Sequence, residues 1–300
     1  MDVITLRADG FGLRLAPEAG GMVTRYWLER GSGVWEWLRP ASDAALSRGD
    51  GYESAAFPLV PFSNRIRAGC FSFEGRDVAL PLNRPPEPHA IHGQAWQATW
   101  TAREASTTSA LLEFRHAPDA WPWAYRATQR FALSPTGVTV ELALHNESDV
   151  PMPAGLGWHP YFLRTPRTML TAPVERIWLT DAEMLPTQLA PSPVTARLSA
   201  GVTIDSVPLD NGFTGWSRRA VIDWPEWGAR LAMTAEPPLD FLTVFIPPSL
   251  PFFCVEPVSH VTDAVNLTEA AAEVGRRSLE PGATLLASIT LTPELTGGGG

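Results

Sequence analysis

The chain has 300 residues, 45% of them apolar and 18% charged, and its formal net charge is −9. That much apolar side chain can bury a sizeable core, which sets global disorder aside. An acidic surface repels phosphate backbones, so nucleic acid is not an expected partner.

The first ten residues, MDVITLRADG, have neither the basic nor the apolar region of a secretory leader. Residues 3–7 and 11–15 flank Ala8-Asp9-Gly10, and 25–30 and 34–38 flank Gly31-Ser32-Gly33. Residues 71–73 and 78–80 flank Glu74-Gly75-Arg76-Asp77. Each pair reads as a hairpin, with turn formers where a tight reversal needs them. A weak helical pattern covers 41–46, and the proline-rich stretch 83–88 reads as a loop between strands. Val138, Val140, Leu142 and Leu144 alternate with Thr139, Glu141, Ala143 and His145, the period of a strand with one buried face. Residues 241–246 are apolar on both faces, as in a central strand covered on both sides. A short helix is expected over 268–273 with Thr268 as N-cap, followed by a strand through Leu285, Ala287, Ile289 and Leu291.

The 29 prolines come too often for long helices, and no strand–helix–strand rhythm appears. The expectation is an all-β chain of antiparallel strands with few short helices. It forms one domain over residues 1–296, ahead of a flexible glycine tail at 297–300. No stretch approaches the roughly 18 apolar residues of a membrane span. Cys70 and Cys254 are too few for a disulfide framework, and both are expected to pack as small hydrophobes. A reducing cytoplasm is the expected compartment. Most of the 12 tryptophans are expected in the core, although such rings also stack on sugars.

Titratable residues gather beside glycine, proline and aromatics in Phe62-Ser63-Asn64-Arg65, Ala90-Ile91-His92-Gly93, Gly157-Trp158-His159-Pro160-Tyr161-Phe162, Leu209-Asp210-Asn211-Gly212-Phe213 and Cys254-Val255-Glu256-Pro257. His92 and His159 each precede a backbone-restricting residue, which predicts a strand end or bend. Their imidazoles can give or take a proton near neutral pH, or can be hydrogen-bonded structural groups. Glu256 follows the apolar run Phe252-Phe253-Cys254-Val255. A carboxylate there is either functional, with its pKa raised by burial, or paired, with Arg65 as the candidate partner. His89 and His92 stand three apart, which on a strand sends them to opposite faces. No metal and no cofactor are therefore expected. Phosphate-loop, dinucleotide and Gly-x-Ser-x-Gly motifs are missing from the sequence.

In this order, Asn64-Arg65, His92-Gly93, His159-Pro160-Tyr161-Phe162, Asp210-Asn211-x-Phe213 and Glu256-Pro257 resemble the aldose 1-epimerase (galactose mutarotase) family, as does the opening Pro17-Glu18-Ala19-Gly20-Gly21. The likeness runs over roughly residues 3 to 292. It implies a large antiparallel β-sandwich and cofactor-free interconversion of the anomers of a free aldose. It implies Glu256 as general base on the C1 hydroxyl, His159 as general acid on the ring oxygen and His92 as a supporting hydrogen-bond donor. Arg65, Asp210 and Asn64 would hold sugar hydroxyls. An ionised Glu256 and a protonated His159 would stabilise each other. One departure is that no glutamine stands between Asp210 and Glu256, where Glu226, Glu236 and Asp240 occur instead. The expected partner is a monosaccharide, with neither nucleic acid nor membrane, and the expected state is a monomer or homodimer. The competing readings are a mutarotase of sugar phosphates, a non-catalytic carbohydrate-binding protein on the same scaffold, and a glycosidase using two of its carboxylates.

Overall fold

Alternation lays Val138, Val140, Leu142 and Leu144 on one face of the strand Gly137–Asn146, each at most 1% exposed. The computed structural model describes residues 2–296, so the tail expected at 297–300 lies outside the described residues. Gly137–Asn146 pairs with Tyr125–Ser134 on one side and Thr284–Leu295 on the other. These strands centre a nine-stranded sheet. An eleven-stranded sheet forms the second layer. Its middle runs Met22–Arg30, Ala56–Leu59, Gly157–Leu163, Phe252–Val258, Phe241–Ile246, Leu209–Thr214 in spatial order. Pairings between these strands are antiparallel throughout. The fold is the expected all-β sandwich.

Period-two geometry gives the large sheet two different faces. Trp158, Phe162, Phe253 and Val255 belong to the main core together with Phe131, Ile289 and Leu291 of the smaller sheet. Phe57, Tyr161, Cys254 and Val258 belong to a second apolar cluster, with Trp96 and Trp178. His159 and Glu256 alternate onto the face of that second cluster. Ten of the twelve tryptophans are buried, as core packing predicts.

All three hairpins form. The strand Phe241–Ile246 is buried along nearly all its length between two neighbours, as its two apolar faces predict. The helices differ in detail. The first is Asp43–Arg48, capped by Ser42. The third is Ala271–Val274, and Thr268 is not its cap, because the chain turns helical only after Ala270. The helix Pro193–Ala200 was not expected, although Ser192 as N-cap and Pro193 at its first turn are readable signals. Cys70 also departs from expectation: it is exposed on the hairpin strand Cys70–Phe73, whereas Cys254 is buried. No helix among the described residues is long and apolar enough to cross a membrane.

One buried histidine anchors the scaffold outside the expected set. His260 Nε2 accepts the Ser63 N–H (3.1 Å), and its Nδ1–H donates to the Val261 carbonyl (2.8 Å). Burial lowers its pKa from 6.5 to about 4. Between those values the unfolded chain takes up a proton that the folded chain refuses, so this contribution is full above pH 6.5 and is lost as pH falls toward 4. Replacing His260 with glutamine should therefore flatten the pH dependence of unfolding free energy over that window by about 1.4 kcal/mol per pH unit. Urea unfolding at pH 4.5, 5.5 and 6.5 reads this slope, and an unchanged slope would refute the assignment.

Candidate active site

Three adjacent central strands carry proline: Pro58, Pro160 and Pro257. Proline normally stays at sheet edges because it has no N–H for the ladder. Here Gly157–Leu163 pairs with Phe252–Val258 at Gly157 and then from Tyr161 to Leu163, leaving the span between unpaired on that side. His159 sits in that span, within the strand rather than at the end or bend its following proline suggested. Of the three aromatics around it, Tyr161 shares its face, with ring centroids 4.6 Å apart. Trp158 and Phe162 point into the main core.

His159 is set opposite Phe57 in the neighbouring strand and stacks on that ring at 4.5 Å and 20°. Glu256 is the fifth residue of its strand, not its end, and lies opposite Thr243. The Nε2 of His159 comes within 3.4 Å of Oε1 of Glu256, with the two residues 5% and 3% exposed.

His92 reaches the same place from a loop. The two-residue strands Arg65–Ile66 and Ala90–Ile91 pair, so Asn64 and His92 face each other at their ends. The Asn64 N–H donates to His92 Nδ1 (3.1 Å), and the His92 N–H donates to the Asn64 carbonyl (2.9 Å). Both have left-handed backbones, at φ 56 and 62, a conformation uncommon outside glycine that Asn and His adopt more readily than most residues. Gly93 follows at φ 71, and a Cβ there would meet the Val60 carbonyl oxygen at 2.0 Å. His92 is thus at a bend, as expected. Because Nδ1 accepts, the neutral ring carries its proton on Nε2. Its ring meets that of His159 edge-on at 5.3 Å.

Arg65 is half-buried beside this group. Its partner is Glu87, with Nε and Nη2 each 3.3 Å from Oε2, and not Glu256 as the sequence suggested. Asn64 Oδ1 accepts from Arg65 Nη1 (3.2 Å). Asp210 and Asn211 line a small cleft with Asn64, Arg65 and Trp178. All six expected site residues therefore belong to one neighbourhood. Glu226, Glu236 and Asp240 do not enter it: Glu226 binds Thr165 and the Arg167 N–H, Asp240 pairs with Arg218, and Glu236 lines a separate groove with Arg126.

Burial dominates the electrostatics. It lowers the pKa of His159 from 6.5 to about 3, with the Arg39 charge adding to the effect. His92 is lowered well below its ordinary value by burial, then by His159, Arg65 and Arg84. Burial and the Asp210 charge raise Glu256 well above the ordinary carboxyl range against the pull of Arg65. Asp210 is itself raised by burial. Burial thus disfavours the charged form of each member of the expected pair of ionised Glu256 and protonated His159.

Besides Glu87, sequence reasoning missed three groups here. Tyr52 packs against His92, His159 and Phe57 (centroids 6.0, 6.3 and 5.8 Å). Its buried hydroxyl has no hydrogen-bond partner among the described residues. The Arg84 guanidinium lies 3.4 Å from the centre of the Tyr52 ring. Arg39 lies 3.9 Å over Tyr161 and donates to the Tyr52 and Ser54 carbonyls. None stands in a motif, and Arg84 falls in the proline-rich stretch read only as a loop. His89 is a structural residue whose Nδ1 accepts the Ala68 N–H (3.1 Å). A ring nitrogen of His159, Sγ of Cys254 and a carboxylate oxygen of Glu256 lie within 4.8 Å of one another, a donor set able to hold a soft divalent cation. The charges of Arg39 and Arg65 oppose a cation there. Burial also pushes the Cys254 thiol well above its usual pKa.

The family model described as Aldose 1-epimerase matches residues 2–292. The uncharacterized protein YphB of Escherichia coli (strain K12) is 28% identical over 98% of this chain and 99% of its own length. A solved structure of a candidate aldose 1-epimerase from E. coli K12 superposes with a TM-score of 0.87 at 27% identity, covering 98% of this chain and 99% of that one. A galactose mutarotase-like protein from Clostridium acetobutylicum has the same fold, with a TM-score of 0.85 at 19% identity over 98% and 95% of the two chains. With nearly its whole length matched, this chain belongs to the aldose 1-epimerase family.

Proposed function

We propose that the protein interconverts the α and β anomers of a free aldose by acid–base ring opening and reclosure. The observation that carries this reading is the buried imidazole–carboxyl pair, His159 and Glu256, at 3.4 Å. Opening the ring takes one proton from the C1 hydroxyl and places one on the ring oxygen. Glu256 receives the first and His159 delivers the second. Rotation about C1–C2 and reclosure give the other anomer.

The proton count fits this chemistry. Before opening, the cyclic sugar requires a carboxylate and an imidazolium. After opening, Glu256 holds the proton and His159 is neutral. The neutral pair favoured by burial is therefore the state that accompanies the open-chain aldehyde. Short range lets the single proton pass between the partners, and sugar hydroxyls entering the site would supply hydrogen bonds to the charged form. His92, with its proton on Nε2, donates to the oxygens whose charge changes. Arg65 and Asp210 hold hydroxyls, and Asn64 orients both Arg65 and His92. Tyr52 offers its unpartnered hydroxyl to the sugar.

The test is polarimetry of freshly dissolved α-anomers of galactose, glucose, xylose and arabinose. At least one should equilibrate faster with the protein. If none does, and no phosphorylated aldose does either, the enzyme reading is wrong.

A further inference from the structure

The guanidinium expected to receive the substrate is already matched by a carboxylate. Glu87 Oε2 sits 3.3 Å from both Nε and Nη2 of Arg65, and the two side chains are only 18% and 14% exposed. Asn64 takes the remaining Nη1. This is the planar edge with which arginine grips a carboxylate or phosphate, and the chain fills it with a carboxylate of its own.

The loop that brings Glu87 there is anchored. Asn83 Nδ2 donates to the Ile91 and Gly93 carbonyls (2.7 and 3.1 Å), and its Oδ1 accepts the Ile91 N–H (2.9 Å), which ties the loop to both sides of His92. Arg84 lies over Tyr52, and the Glu87 N–H closes a turn onto the Arg84 carbonyl (2.8 Å). Glu87 also raises the pKa of Asp210, so its charge is felt inside the cleft.

We infer that Glu87 sets the charge selectivity of this site, making it one for uncharged aldoses and excluding sugars with an anionic substituent at the Arg65 edge. This inference rests on the proposed aldose reading and narrows its substrate class. A hydroxyl can donate to Glu87 and accept from Arg65 at once, so it satisfies both partners. A carboxylate or phosphate can do only the second, and it meets the like charge of Glu87 at close range in a poorly hydrated site. With Glu87 neutralised, the same edge becomes an anion site.

The experiment compares a hexose with the uronate that differs from it only by a carboxylate at C6, using wild type and Glu87→Gln. Affinity is read from intrinsic tryptophan fluorescence, and anomerisation rates are measured in parallel. Wild type should bind the neutral sugar at least tenfold more tightly. Glu87→Gln should bring the ratio to within about threefold of unity, chiefly by tightening the uronate. A wild type that binds both sugars equally or binds neither overturns the inference. So does a variant that weakens both in proportion, which would mark Glu87 as structural. Glu87→Ala repeats the comparison without a side-chain amide and should shift the ratio in the same direction. If wild type binds the neutral sugar selectively but speeds no anomerisation, the catalytic reading fails while the role of Glu87 stands.

Discussion

Replacing Glu256 with glutamine is expected to slow anomerisation by about 10²–10⁴-fold, the range for loss of one positioned acid–base group. Sugar affinity should change far less. Glutamine keeps the shape and one acceptor oxygen beside His159 but cannot take a proton. A carboxyl buried to 3% exposure, with its pKa raised by that burial and by Asp210, costs stability whenever it ionises. The variant should therefore unfold at the same temperature as wild type or somewhat higher. Lost rate with unchanged or raised stability marks a functional residue, because a structural salt-bridge partner would destabilise when removed. A carbohydrate-binding protein without activity would show only a changed affinity. Stopped-flow polarimetry, sugar titration and thermal unfolding of the one variant separate these outcomes.

Replacing His159 with glutamine is expected to lose a similar factor, about 10²–10⁴. The double variant should be little worse than the worse single one, because both groups move the same proton and their effects do not add. The pH profile gives a second readout. Activity requires one proton on the pair. The profile should fall at high pH, as the last proton leaves, and at low pH, as a second proton binds, with the low-pH limb set near the depressed pKa of about 3 for His159. Glutamine at 159 should abolish that low-pH limb. Additive losses in the double variant, or a limb that survives the substitution, would remove His159 from the acid's role.

The fold was legible where one physical rule acts alone. Alternation in Gly137–Asn146 and the turn residues between hairpin strands depend on neighbours in sequence, and those elements form where expected. Helix ends were less legible, as at Ala271–Val274, where the loop before Ala270 decides the start. The candidate site was legible as a set of residues that the fold brings together, but not as a set of contacts. His159 and Glu256 lie far apart in the chain, and only the register of the central strands places them together. The proline after His159 pointed to a strand end, yet it interrupts a ladder in the middle of a sheet. That is a local rule broken where the proposed chemistry sits. The opposition of burial to the expected ion pair was not legible either, because charge attraction is visible in residue types whereas desolvation depends on burial that only the fold creates. Tyr52, Arg84 and Glu87 come from segments without a motif, and nothing in their sequence marks them.

The most direct measurement is anomerisation of an α-aldose carrying ¹⁸O at O1, followed by ¹³C NMR of its C1 resonance. Ring opening breaks the bond from C1 to the ring oxygen and leaves O1 in place. The protein is expected to equilibrate the anomers well ahead of the spontaneous reaction with the label retained. Label lost in step with anomerisation would show water displacing O1 at C1. That result, or no acceleration for any aldose, would contradict Glu256 and His159 as a ring-opening acid–base pair.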